Sequence, residues 1–236
     1  MTISSRPKLL SLALPIALLS AVLVLAAPGA SAGGSTTAST STSATQPIFA
    51  TELEFRNAMR KLWEDHITWT RNVIISFEVN VPDPAATLPD LSAALDRLLQ
   101  NQADIGNAIK PFYGAAAGDQ LTALLREHIL IAGEILTAAK TGDADGLADA
   151  QARWYANAHD IAVFLSTANP DNWPLAEMDE MLREHLDATT AEVLARLNSD
   201  WTADVAAYDE VHIQALGMAD MLSSGIVAQF PKHFKP

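Results

Sequence analysis

Three short phrases in this chain set a histidine behind a carboxylate in the same way: Leu62-Trp63-Glu64-Asp65-His66-Ile67, Leu125-Arg126-Glu127-His128-Ile129 and Leu182-Arg183-Glu184-His185-Leu186. A neutral imidazole offers one N–H and one lone pair, so it serves as metal ligand, proton carrier or hydrogen-bonding core residue. Apolar residues recur around each phrase at intervals of three and four, the helical period. That places His66 on a stripe with Leu62 and Val73, His128 with Leu121, Leu124, Ile131 and Ile135, and His185 with Met178, Met181 and Ala188. His212 stands similarly with Tyr208, Asp209 and Ala215. An inward polar group without a partner costs about 1–3 kcal/mol. Four inward imidazoles on separate helices predict a shared role.

The segment after each phrase carries an aspartate near a β-branched residue: Asp104-Ile105, Asp160-Ile161 and Asp209-Glu210-Val211. Helices of a bundle converge on a common axis. His66, His128, His185 and His212, with Asp104, Asp160 and Asp209 as anionic partners, are therefore the candidate ligands of one mononuclear transition-metal ion, zinc, iron or copper. Met178 and Met181 add thioethers that suit copper and fill a helical core equally well. The paired Glu-x-x-His motifs of di-iron bundles are missing; only Asp209-x-x-His212 approaches one. The competing reading makes the same residues hydrogen-bonded core pairs that fix helix register.

Other chemistry is thin. The chain has no cysteine, which excludes disulfides, thiolate metal sites and c-type haem attachment. It has no Gly-rich phosphate loop, Gly-x-Ser-x-Gly elbow or His-Glu-x-x-His, so no nucleotide is expected. With 28 acidic against 15 basic residues the formal charge is −13. That disfavours nucleic acid and anionic membrane surfaces as partners. Two functional readings follow: a metal-binding bundle for storage, sensing or redox handling, or an acidic interaction scaffold that meets an unknown protein. A His/Asp acid–base enzyme lacks a nucleophile beside the pair.

The elements that must hold these residues are helices. Proline, glycine and Asn/Asp clusters divide the chain into six periodic stretches. The first ends before Pro82, the second is closed by Pro111 and Gly114, and the third by Thr141-Gly142-Asp143. The fourth stops at Asn169-Pro170, the fifth spans Met178 to Val193, and the sixth stops before Pro231. No run alternates as a strand would. The expected fold is all-α, an antiparallel up-down helical bundle of about six helices arranged as three hairpins of one repeated pattern. Ahead of it stand Arg6 and Lys8, an apolar stretch over 9–27, and Ala30-Ser31-Ala32, which fits a signal-peptidase site. Residues 1–32 are thus expected to be a signal peptide, 33–47 a flexible Ser/Thr/Gly spacer, and 48–236 the helical domain. The protein would be secreted or periplasmic, with an uncleaved membrane anchor as the alternative.

Four phrases carry a resemblance: Leu62-Trp63-Glu64-Asp65-His66-Ile67-Thr68-Trp69-Thr70-Arg71, Asn107-Ala108-Ile109-Lys110-Pro111-Phe112-Tyr113-Gly114, Arg153-Trp154-Tyr155-Ala156-Asn157-Ala158 and Ala219-Asp220-Met221-Leu222-Ser223-Ser224-Gly225-Ile226. Over about residues 52–234 the chain resembles a group of small bacterial all-helical proteins, some of which bear the name glycosyltransferase without a matching motif. The resemblance implies a bacterial origin and a helical domain. A glycosyltransferase would need strand–helix alternation, which this chain lacks.

Overall fold

The computed structural model describes residues 51–77 and 87–234; the leader and spacer expected at 1–32 and 33–47 lie outside them. Six helices follow in chain order: α1 (Glu52–Phe77), α2 (Leu91–Tyr113), α3 (Ala115–Thr141), α4 (Ala144–Ala168), α5 (Leu175–Leu197) and α6 (Trp201–Gln229). A single 3-10 turn, Pro231–His233, comes after α6. Among the described residues no β-strand forms, as the sequence period requires.

Local chemistry sets the helix ends. The Glu54 amide donates to Thr51 Oγ1 at 3.2 Å while the Thr51 amide donates to Glu54 Oε2 at 3.1 Å, a capping box for α1. Asp143 and Asp200 accept from the amides of Gly146 and Ala203, satisfying orphan donors of α4 and α6. Gly142, at φ 71°, takes the left-handed turn that closes α3. Pro111 does not end α2, which continues to Tyr113. A proline this near the terminus removes one N–H, and the Gly114 amide still closes on Lys110 O at 2.9 Å.

Each helix packs against its chain neighbours, and α6 also packs against α1. The α1 period read from the sequence would also carry Leu53, with His66 and Val73, on the inward stripe, and the structure keeps only the last two inside. Leu53 is 67% exposed, whereas Phe55, Met59, Trp63 and Ile67 are buried. Phe55 and Trp63 have more apolar surface to remove from water than Leu53, and Phe55 also meets the rings of Phe112 and Phe234 at 5.1 and 5.2 Å. Two main clusters build the interior. One runs from Phe55, Met59 and Trp63 through Met178, Leu186 and Met218 to Ile226. The other gathers Val73, Ile74, Leu98, Ile129, Leu136 and Val193.

Helices α2 and α3 cross where Gly106 faces Gly118. A Cβ at Gly106 would stand 2.5 Å from Gly118 O and 2.0 Å from Thr122 Oγ1; one at Gly118 would stand 2.5 Å from Gly106 O. Gly106→Ala gains up to about 1 kcal/mol of helix propensity but forces these backbones apart, an overpacking cost of about 1–3 kcal/mol. We expect a net loss and a Tm lowered by a few degrees in a thermal melt. An unchanged or higher Tm would show that the crossing relaxes freely.

Candidate functional site

His66, His128 and His185 come from α1, α3 and α5 and are 4%, 5% and 6% exposed. The rings of His66 and His185 lie 5.8 Å apart. His66 also meets Trp63 edge-on at 5.6 Å, and His128 lies 5.1 Å from the Trp154 ring. The three imidazoles share one electrostatic neighbourhood. Burial, then the fields of His185 and His128, hold the His66 pKa well below its ordinary value. Burial, then His185, lowers His128 from 6.5 to about 4, and burial lowers His185. At neutral pH this is a layer of three uncharged rings.

Side-chain amides from the following helices fix those rings. His128 Nδ1 bonds Asn157 Oδ1 at 2.9 Å, and His185 Nδ1 bonds Gln214 Oε1 at 2.9 Å, each partner 29 residues further on. The same amides donate to the carbonyl one turn before each histidine, Asn157 to Leu124 O and Gln214 to Met181 O. An amide oxygen can only accept, so Nδ1 carries the proton and Nε2 the lone pair in both rings.

The first pair divides this task between two residues. Asn101 donates to Leu62 O at 3.0 Å, while Gln102 Nε2 faces His66 Nδ1 at 3.2 Å and also donates to Leu98 O at 2.8 Å. Asn101 Oδ1 stands at 3.2 Å from the same nitrogen, so its two protons are shared among three partners. Gln102 Oε1 is left buried without a hydrogen-bond partner.

The remaining expected ligands lie elsewhere. His212 is 34% exposed at its side chain and faces Glu64 at 3.5 Å. Asp104 meets Gln100 and Arg97 on the outside, and Asp160 and Asp209 are exposed. Each stands two residues from an inward side chain (Gln214, Gln102, Ala158 and Val211), roughly 160° away around the helix. Among the described residues no group of three or more His, Asp or Glu side chains is arranged to hold a metal ion. Asn157 repeats the position of Asn101 ahead of an aspartate, but neither it nor Gln214 is marked by its type as a histidine partner, since asparagine and glutamine are unremarkable on a helix. The shared interval of 29 residues from His128 and His185 was the signal available.

One turn beyond the layer, Thr70, Ala132 and Thr189 begin a cavity of about 310 Å³. The Thr70 and Thr189 hydroxyls donate to the carbonyls of His66 and His185, both at 2.8 Å. Val73, Ile74, Ile135, Leu136, Val193 and Trp154 supply much of the wall. Among the described residues that line it, none has an ionisable side chain. On the opposite side of the layer, Trp63, Leu125 and Met181 border a void of only about 30 Å³. The histidines thus separate a tightly packed half of the interior from a half with room in it. No protein-family model, curated protein or solved structure matches this chain.

Proposed function

We propose that this protein is a non-catalytic binding protein that holds a small apolar molecule in the cavity beside its histidine layer. The observation that carries the reading is the 310 Å³ space walled by aliphatic and aromatic side chains of five helices. Ligand pockets are typically about 300–1,000 Å³ and mostly apolar. An engineered cavity of about 150 Å³ takes benzene, so this one has room for about twelve non-hydrogen atoms. The bundle we infer around it is antiparallel and up-down, built as three hairpins. His128 and Asn157 lie equally far from the Gly142–Asp143 turn, and His185 and Gln214 equally far from Ser199–Asp200, which supports that arrangement. The leader read in the sequence would place the carrier outside the cytoplasm.

Gly133 provides the test. It lines the cavity, and a Cβ there meets no atom within 4 Å. Gly133→Leu gains helix propensity of up to about 1 kcal/mol while filling the space. Calorimetric titration with 1-decanol is expected to show binding to the native protein and at least a tenfold weaker affinity in the variant, whose Tm is unchanged or higher. Equal affinity in both, or none in either, would overturn the reading.

A second reading, one zinc, iron or copper ion on His66, His128 and His185 alone, draws on the 5.8 Å approach of His66 and His185 and on the neutrality of all three rings, and it needs them to shift into a coordinating arrangement that they do not hold here. The Nδ1–H bonds of His128 and His185 to amide oxygens have the form of outer-shell partners of metal-bound imidazoles. Stoichiometric metal in the purified protein, lost in His128→Ala, would establish this reading; metal-free protein would exclude it.

A further inference from the structure

The lining of the cavity also says which apolar molecules it accepts. Resting on the binding role above, we propose that the ligand is an uncharged lipophile, a hydrocarbon chain or ring system ending in an alcohol, ketone or ester, and that the site rejects fatty carboxylates and alkyl ammonium ions. In a chain with 43 Asp, Glu, Lys and Arg residues, none of them and no histidine stands among the described residues of the cavity wall. A charge brought to such a wall without a partner loses its hydration and gains nothing comparable.

The polar groups that do line the space are neutral, and several are committed. The hydroxyls of Thr70, Thr137 and Thr189 donate to the carbonyls of His66, Gly133 and His185. Their oxygens retain lone pairs, which suit a weak donor such as an alcohol. Gln151 and Thr190, both half-buried, supply an amide and a hydroxyl that meet a neutral head group as donor or acceptor.

A cation does stand close to the wall. Lys140 follows Ala139 of the lining, but its ammonium donates to Phe77 O and lies over the Phe77 ring at 4.9 Å from the centroid. A carboxylate would have to draw Lys140 away from those contacts. It would also approach a molecule with a formal charge of −13, whose field opposes anions. An ammonium ligand is favoured by that field at long range, yet it finds no carboxylate among the described residues of the wall.

The test compares 1-decanol, methyl decanoate, decanoate and decyltrimethylammonium at pH 8 on the full chain, by calorimetric titration below their aggregation thresholds. The alcohol and the ester are expected to bind at least tenfold more tightly than either ion, and all binding should weaken in Gly133→Leu. Decanoate or the ammonium binding as tightly as the alcohol would overturn the charge selection and leave the cavity role standing. Binding by none of the four would overturn both.

Discussion

Replacing Arg71 by methionine is expected to destabilise the bundle by about 3–5 kcal/mol, the usual cost of removing one partner from a buried ion cluster. Arg71 Nη2 meets Asp204 Oδ2 at 2.7 Å, Nη1 also meets Asp204 Oδ1, and Nη1 meets Glu192 Oε1 at 2.8 Å. The carboxylates are almost wholly buried, with side chains 1% exposed at Glu192 and 2% at Asp204. Arg196 reaches Asp204 at 3.1 Å and cannot serve both acids alone. Hydrogen bonding from Arg71 holds the Asp204 carboxyl below its ordinary value, whereas burial pushes Glu192 up against the pull of Arg71. With Arg71 gone, Glu192 must bind a proton or remain a bare charge in the interior. Urea unfolding should show a much lower midpoint with little change in slope. Adding Glu192→Leu to the variant should recover part of the loss. A loss below about 1 kcal/mol would mean that water replaces the guanidinium.

The second large effect is acid sensitivity between about pH 6.5 and 4. The histidine layer is neutral in the folded protein, and its pKa values lie below the ordinary 6.5. As pH falls through 6.5 the unfolded chain takes up protons that the folded chain refuses, so stability declines. It is complete above 6.5 and continues to fall until the folded rings also protonate, near 4 for His128. His128 alone contributes on the order of 3 kcal/mol across that window. His66 and His185 act in the same direction. Asp204 adds its own loss only below about its ordinary 3.8, and Glu192, raised by burial, works the opposite way. The urea midpoint should therefore drop clearly from pH 7.5 to pH 5, and the double substitution His128→Leu with Asn157→Leu should flatten the curve. A midpoint independent of pH over that range would show that the three rings are not buried together.

The fold was readable because helical periodicity and breaker residues are local. Gly114, Gly142 and Asn169 end helices in the structure where the sequence places those ends, and the inward positions of His66, His128 and His185 follow from their apolar neighbours. Rotation about a helix axis is less legible. His212 shares a stripe with Ala215 on paper, yet the α6 side chain that bonds His185 is Gln214, and that two-residue offset turns the His212 imidazole towards Glu64. Charged residues were expected to accompany the histidines, but neutral rings are held more cheaply by neutral amides, which need no second ion to balance them. The cavity left no mark in the sequence, since its walls are made of the same Val, Ile and Leu that fill a tight core.

Xenon pressurised into a crystal of the protein tests the central claim most directly, because apolar cavities of this kind take up the gas. We predict a strong peak between Val73, Ile135 and Val193, absent in Gly133→Leu. A site that collapses or fills with ordered water instead would contradict the account.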